Sequence, residues 1–325
     1  MSLLIPSECD FEDAHENPQT EILYREALEQ LRQNNPHEFK WDFETVPGFF
    51  VQADEATDDL AFRYTDSQMG RKLEWNQISA KLAELNENAE PNVSYKLIIC
   101  ARHGQGFHNY IVDKYGVPAW NEKWRTLTTD GEVTYAPDPM LTDIGLKQAQ
   151  ENHMAWEKEV LQHSAPLPSK YYASPLQRSC WTHKITWDGL KPAEKKTVIV
   201  ENLRETIGGN LCDKRSTRTE IEQRFGPHGF QCEPSFAEED SLFSPRRETD
   251  VEHAVRINRF CQQLFADDWD VSTGVVDKAK AVEHSFISTT THAGSIRLFI
   301  VVFGHRRFTI STGGMIPIVV KGTRL

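Results

Sequence analysis

The chain has 325 residues, of which 26% are charged and 39% hydrophobic, and its formal net charge is −12. This composition excludes a wholly disordered chain, and no apolar run is long enough to span a bilayer. A nucleic-acid backbone is excluded as the main partner, because binding one requires clustered lysine and arginine.

The start of the chain lacks the basic stretch and the long apolar run of a signal peptide. Six cysteines are spread along the chain without a C-x-x-C pair, which indicates reduced, mostly structural thiols. We therefore expect an intracellular protein in the cytoplasm, with the nucleus as an alternative location.

Residues 1–94 show no regular alternation of strand and helix. Apolar residues at helical spacing predict a helix over 21–33 and a second over 77–86. The aromatic turn at 46–51 is typical of a segment that packs on a larger body. We interpret this region as an amino-terminal extension packed on a main domain that covers 95–325.

Strands and helices alternate regularly after residue 94. Strands are predicted at 96–101, 170–173, 197–201 and 285–289, and helices at about 142–163, 176–187, 217–224, 250–266 and 294–302. The end of the chain, 308–320, predicts an edge hairpin, since Pro317 suits an edge strand. The alternation predicts an α/β fold, a three-layer α/β/α sandwich with a mostly parallel central sheet, plus the amino-terminal extension.

Polar motifs follow the predicted strands. The triplet Arg-His-Gly at 102–104 comes directly after the first strand, and further motifs stand at 174–179, 203–205 and 289–297. Ligands of open α/β sheets bind in the crevice at the carboxyl ends of the strands, so we expect these four loops to meet in one pocket.

The residue types in these loops suit phosphoryl transfer through a covalent intermediate. A neutral imidazole can attack phosphorus in line, and His103 is the candidate nucleophile. Arg102 and Arg178 offer paired N–H donors to phosphate oxygens. His292 adds a donor for the charge of the transition state, and Glu205, expected beside an apolar wall, is the candidate general acid.

In this order, the motifs resemble those of the histidine phosphatase superfamily, also called the phosphoglycerate mutase-like family. The segments 141–149 and 174–179 resemble its Leu-Thr-x-x-Gly-x-x-Gln-Ala helix start and its Ser-x-x-x-Arg turn, and 290–297 resembles its Thr-His-Gly-Gly-x-Ile-Arg motif with one glycine replaced by alanine. In the first motif, Gly106 stands where a hydroxyl residue is frequent. A phosphate contact is therefore expected from Asn109, which is in its usual place, or from the backbone.

The resemblance covers about residues 95–305, and 102–109 and 212–216 look like the fungal and plant phosphomutase-like branch. It implies the same roles for the residues named above, with no cofactor. A metal site is not expected, because Cys100, His103 and His108 come from a strand and the following loop and rarely face one metal.

Three functions stay open at this point. A phosphatase acting on a small phosphorylated metabolite is favoured, because residues 110–140 do not look like the corresponding loop of the glycolytic mutases. The alternatives are a phosphomutase acting on a phosphorylated metabolite and a non-catalytic binding or scaffold member of the superfamily. No membrane partner is expected, and the oligomeric state stays open.

Several residues keep two interpretations. His108 either contacts substrate or is structural. The charged run at 213–215, near Arg218, either binds a second anionic group of the substrate or forms a solvated face. The stretch 120–124 is either a lid or a packed loop.

Overall fold

The computed structural model describes residues 2–325. Its strands are β1 (Trp41–Thr45), β2 (Val93–Arg102), β3 (Lys170–Ala173), β4 (Thr197–Ile199), β5 (Phe230–Cys232), β6 (Trp269–Asp270), β7 (Val275–Val276), β8 (Phe286–Thr291) and β9 (Met315–Arg324). Its α-helices are α1 (Glu8–His15), α2 (Thr20–Asn34), α3 (Trp75–Glu87), α4 (Phe107–Tyr115), α5 (Val117–Glu122), α6 (Asp143–His163), α7 (Gln177–Thr186), α8 (Arg218–Phe225), α9 (Asp250–Ala266), α10 (Lys278–Glu283) and α11 (Ala293–Phe303).

The central sheet has seven strands in the order β1-β9-β2-β8-β3-β4-β5. Neighbours from β2 to β5 pair in parallel, whereas β9 is antiparallel to both β1 and β2. The strands β6 and β7 form a separate small ribbon. A mostly parallel sheet between helices confirms the predicted three-layer α/β/α architecture.

Both faces of the sheet are covered, which explains the unbroken apolar run in the middle of β2. Ile98 and Cys100 point into a core shared with α2, α9 and α11. Leu97 and Ile99 point into the opposite core, which is shared with α3 and α6. The side chains alternate between the faces because successive residues of a strand point in opposite directions.

The helices and strands predicted with strong periodicity are present in the structure. The prediction at 250–266 coincides with α9, and the prediction at 170–173 coincides with β3. The other predicted helices, and the strands at 96–101, 197–201 and 285–289, overlap observed elements with ends shifted by a few residues. The sequence analysis missed β1, β5, β6, β7, α1, α4, α5 and α10.

The predicted edge hairpin at 308–320 is wrong. Residues 308–310 form no strand, and β9 lies inside the sheet between β1 and β2. β1 pairs only with Val320–Arg324 of β9 and does not reach Pro317. At the proline, β9 therefore has a neighbouring strand on one side only, where Pro317 pairs with Ile99 of β2. The missing N–H of proline is tolerated where no strand needs it.

The first 94 residues share the sheet and the core with the rest of the chain. β1 supplies an edge strand, and Tyr24 and Leu28 of α2 join the core formed by α9 and α11. α1 lies against α11. Within residues 2–325, no helix is both long enough and apolar enough to cross a membrane.

Candidate active site

The four polar loops meet at the carboxyl edge of the sheet, where β2, β8 and β3 end side by side. Arg102 at the end of β2 is in register with Thr291 of β8, and the N–H of His103 donates to the carbonyl of Thr291 at 2.9 Å. The N–H of Ser174 donates to the carbonyl of Thr290 at 2.9 Å, which places the start of α7 beside them. The sheet register thereby brings the first, second and fourth motifs together.

His103 lies in the centre of this edge and is 3% exposed. Its Nδ1 lies 2.7 Å from the carbonyl oxygen of Gly104, and since only a protonated nitrogen can donate to a carbonyl, Nε2 carries the lone pair. Burial, together with Arg178 and Arg102, holds the pKa of His103 well below its usual value. The ring is therefore a neutral imidazole with its unprotonated nitrogen on the side of Arg178.

Arg178 is completely buried and is fixed on three sides. Its Nη2 bonds to Asp213 at 2.9 Å, its Nη1 donates to the carbonyl of Cys212 at 3.0 Å, and its Nε lies 3.3 Å from Nε2 of His103. A buried guanidinium with a carboxylate partner keeps its charge and orientation. It thus provides a fixed cation beside the lone pair of His103.

Arg102 is held by two oxygens at the opposite side of the site. Its Nη1 donates to Asp10 Oδ1 at 2.5 Å and to the carbonyl of Ile310 at 2.7 Å. Its buried Nε has no hydrogen-bond partner among residues 2–325. Asp10 belongs to α1, so the amino-terminal helix reaches one of the two predicted clamp arginines.

His292 packs on the nucleophile candidate, with 4.9 Å between the ring centroids of His292 and His103. Its Nε2 lies 2.7 Å from Ser174 Oγ, and its buried Nδ1 has no partner in the described part of the chain. Burial, followed by Arg178 and His103, keeps the pKa of His292 well below its usual value. A neutral ring that accepts from the Ser174 hydroxyl has its N–H at Nδ1.

Glu205 lies at the amino end of α11 and lines a cavity next to Arg102. One carboxylate oxygen accepts from the N–H of Thr206 at 2.8 Å, and the other accepts from the N–H of Gly294 at 3.3 Å. The cavity wall around it also includes Arg247 and Arg297. The expectation of an apolar wall is therefore wrong: the carboxylate accepts from two backbone N–H groups, and the arginines near it come from segments that are distant in sequence.

Asn109 lies in the first turn of α4 at the same cavity. Its Oδ1 accepts from the N–H of Gly106 at 2.9 Å, which fixes the start of the helix and leaves its amide nitrogen for other contacts. Gly104 and Gln105 are fastened to neighbouring helices, because the N–H of Gly104 donates to Thr182 Oγ1 at 2.9 Å and that of Gln105 donates to Gln148 Oε1 at 2.8 Å. The loop that carries His103 is thus anchored by α6 and α7.

The cavity has a volume of about 530 Å³. Its lining includes carboxylates of the amino-terminal segment, among them Asp10 and Asp13, as well as Arg247 and Arg297. Arg297 bonds to Asp13 at 3.0 Å. The sequence analysis missed Asp10, Asp13 and Arg247, because α1 and the loop around Arg247 contain no motif and follow no predicted strand.

The charged run at 213–215 does not act as one unit. Asp213 lines the cavity and bonds to Arg178, whereas Arg215 is buried against Glu201 at 2.9 Å and donates to backbone carbonyls. The interpretation that Arg215 binds a second anionic group of the substrate is therefore wrong, since the N–H groups of Arg215 already donate to other residues. In the stretch 120–124, Trp120 is buried at the cavity wall, which favours a packed loop over a lid.

Within residues 2–325, no group of three or more His, Cys, Asp or Glu side chains is arranged to hold a metal ion. The donor set of the site is instead two histidines, two arginines and one carboxyl group. This set can bind a phosphate group and transfer it, since it combines a neutral nucleophile, fixed cations and a group able to exchange a proton.

Two solved structures match the chain with low sequence identity and low TM-scores. The ecdysone phosphate phosphatase of Bombyx mori is 18% identical, with 64% of this chain and 76% of that chain covered and a TM-score of 0.38. A mycobacterial glucosyl-3-phosphoglycerate phosphatase is also 18% identical, with 63% and 78% covered and a TM-score of 0.34.

No family model matches the chain. Relatives found by sequence have a higher identity to it than these solved structures. A protein of Arthroderma benhamiae named probable phosphoglycerate mutase is 34% identical over 86% of this chain and 84% of its own length. The phosphomutase-like protein 3 of Candida albicans is 32% identical over 76% and 69%. With fungal relatives of this similarity and coverage, the chain belongs to the phosphoglycerate mutase-like family, the histidine phosphatase superfamily.

Proposed function

We propose that this chain is a phosphatase of the histidine acid phosphatase type, which hydrolyses small phosphomonoesters through a phosphohistidine at His103. The observation that carries the proposal is the geometry of His103. The Gly104 carbonyl holds the Nδ1 proton at 2.7 Å, and the low pKa of the ring keeps Nε2 unprotonated. This is the form of imidazole that can attack phosphorus.

In the first step, Nε2 of His103 forms a bond to phosphorus while the bond from phosphorus to the leaving oxygen breaks. Glu205 gives its proton to that oxygen as the bond breaks. Arg102 and Arg178 bind the non-bridging oxygens, and the N–H of His292 donates to the charge that develops there.

In the second step, water attacks the phosphohistidine. Glu205 takes a proton from the water, the bond between Nε2 and phosphorus breaks, and inorganic phosphate leaves. Phosphate replaces Asp10 as the partner of Arg102 in this scheme. Asn109 contributes its amide N–H to the bound phosphate.

The test is phosphate release from p-nitrophenyl phosphate and a panel of small phosphomonoesters, with His103→Ala as the variant. We expect the variant to lose essentially all turnover while its melting temperature stays close to that of the wild type. Rapid quenching of the wild type should trap an acid-labile, alkali-stable phosphoenzyme, and EDTA should leave the rate unchanged. Turnover by His103→Ala near the wild-type rate would exclude the covalent mechanism.

A phosphomutase acting on a phosphorylated metabolite is the second candidate, because the names of the fungal relatives point to it. The two functions differ in the acceptor of the phosphate group: water in a phosphatase, a substrate hydroxyl in a mutase. Incubation with 3-phosphoglycerate separates them, since a mutase yields 2-phosphoglycerate without net phosphate release. A non-catalytic binding or scaffold role is disfavoured, because the chain retains the histidines, arginines and glutamate that this reaction uses.

We also propose that the protein acts in the cytoplasm, with the nucleus as an alternative, on a small phosphorylated metabolite. Within residues 2–325 all six cysteines are unpaired, which supports a reducing compartment. The size of the cavity, about 530 Å³, suits a small molecule.

A further inference from the structure

A third histidine faces the site, and the scheme above does not use it. His108 lies in the first turn of α4 and lines the cavity beside Asn109. Its ring centroid is 5.5 Å from that of His103. The buried Nδ1 of His108 has no hydrogen-bond partner among residues 2–325.

The position of this ring depends on Gly106. A Cβ atom at position 106 would lie 2.7 Å from Nδ1 of His108 and 2.8 Å from its Cε1, which is closer than real contacts allow. The imidazole therefore rests on the glycine backbone, in space that a side chain at position 106 would occupy. The two positions therefore depend on each other: the ring of His108 fits in its observed place only because position 106 carries no side chain.

The surroundings of His108 suit an anion. Burial, then Arg178, His103 and Arg102, lower the pKa of His108 well below its usual value, so the ring is neutral and carries one N–H donor. Buried polar groups are nearly always paired, and an unpaired one next to a nucleophile points to a partner supplied from outside the chain. A phosphate held by Arg102 and Arg178 would bring oxygens to this position.

We propose that His108 is a substrate-binding residue. Its ring, which occupies the space that Gly106 leaves open, donates a hydrogen bond to an oxygen of the phosphate group being transferred. This inference rests on the proposed function of the same site. It gives the chain a side-chain donor where the expected hydroxyl is missing. The bond strengthens as charge builds on that oxygen in the transition state.

Four variants test the proposal: His108→Ala, His108→Phe, Gly106→Ala, and the double variant Gly106→Ala/His108→Ala. The readouts are kcat and KM for p-nitrophenyl phosphate, the inhibition constant of orthovanadate, direct orthovanadate binding by calorimetry, and the melting temperature. We expect His108→Ala and His108→Phe to lower kcat/KM on the order of 100-fold, as for loss of one transition-state donor, and to weaken orthovanadate binding.

Gly106→Ala tests the coupling of the two positions. The new methyl group should displace the His108 ring and lower kcat/KM when His108 is present, but should change little in the His108→Ala background, where no ring remains to be displaced. His305→Ala is the matched control, because His305 also has a buried ring nitrogen without a partner but follows the carboxyl end of α11, away from the site. It should keep wild-type kinetics.

Wild-type kinetics in His108→Phe would overturn the proposal, since that variant keeps an aromatic ring at this position and removes both nitrogens. Unchanged orthovanadate binding in His108→Ala would overturn it as well. If the wild type binds orthovanadate but hydrolyses no phosphomonoester, the proposed function fails alone, and the binding comparison still decides the role of His108.

Discussion

The carboxylate of Glu205 lies against the backbone of Gly294. A Cβ atom at position 294 would lie 2.2 Å from one carboxylate oxygen and 3.2 Å from Thr206 Oγ1. The glycine is therefore required by close approach and not by an unusual backbone angle. Because the clash involves the end of a side chain, a larger residue at 294 should move Glu205 without unfolding α11.

We expect Gly294→Ala to reproduce the effect of Glu205→Gln. In both variants, hydrolysis of alkyl phosphates should fall on the order of 100-fold, whereas p-nitrophenyl phosphate should be affected much less, because its leaving group needs no proton. The measurement is kcat for both substrate types. Gly226→Ala is the control, since a Cβ atom there meets nothing within 4 Å. Equal slowing of good and poor leaving groups would mean that Glu205 is not the acid.

At this scale, the predicted site residues are brought together because each follows a strand that ends at the same edge of the sheet. Whether each performs the predicted role stays a prediction. The partners of these residues were not predictable: Asp10 reaches Arg102 from 92 positions earlier in the chain. Only the tertiary fold determines such contacts, and the same reason accounts for the wrong expectation of an apolar wall around Glu205.

Among the elements, α6 supports the loop of the nucleophile candidate through its first turn. Thr142 caps the helix by accepting from the N–H of Gly145 at 3.1 Å. Gly145 packs directly on the loop, since a Cβ atom there would lie 2.2 Å from the carbonyl oxygen of Gln105. The periodicity of a helix predicts its existence, but not which backbone packs on it.

Helix α1 places the carboxylate of Asp10 2.5 Å from Arg102, a residue that is predicted to bind phosphate. We expect Asp10→Asn to lower the KM for p-nitrophenyl phosphate and the inhibition constant of inorganic phosphate several-fold, because the charge that competes with phosphate is removed. The value of kcat should change little. Steady-state kinetics at fixed ionic strength measure both constants.

Glu8→Gln is the matched control, because Glu8 is an exposed residue of the same helix and its loss changes the net charge equally. It should leave both constants near the wild-type values. The same decrease in both variants would assign the effect to overall charge, and an unchanged inhibition constant in Asp10→Asn would contradict the competition.

For the whole molecule, several histidines in or near the interior are kept neutral. Burial is the largest cause that lowers the pKa of His103, His108, His253 and His292 well below the usual value, and that of His183 to about 3. In the unfolded chain these rings take up protons near pH 6.5. Below that pH the unfolded state binds more protons than the folded state, so stability is lost as the pH falls.

We therefore expect the free energy of unfolding to be nearly constant from pH 8 to 7 and to decrease below pH 6.5, by up to about 1.4 kcal/mol per pH unit for each such histidine. Urea denaturation at pH 7.5, 6.5 and 5.5 measures this. His183→Gln should reduce the slope without touching the site, whereas the exposed His228→Gln should keep it. A free energy that does not change between pH 7 and 5.5 would contradict the expectation.

The fold class was predictable because alternating strands and helices allow few arrangements. The position of β9 was not, because the pairing partner that makes it internal, β1, is a short strand with a weak pattern more than 270 residues earlier. The division of the chain at residue 94 stays a prediction. The pairing of β1 with β9 shows how closely the two parts are joined.

The helix α1 buries none of its side chains. Its place at the cavity is maintained by ion pairs, from Asp10 to Arg102 and from Asp13 and Glu16 to Arg297. Charge pairs at such partly exposed positions weaken as ionic strength rises. The amino-terminal carboxylates and an incoming phosphate compete for the same arginines. The salt concentration of the surroundings is therefore one of the quantities that control how readily phosphate enters the site.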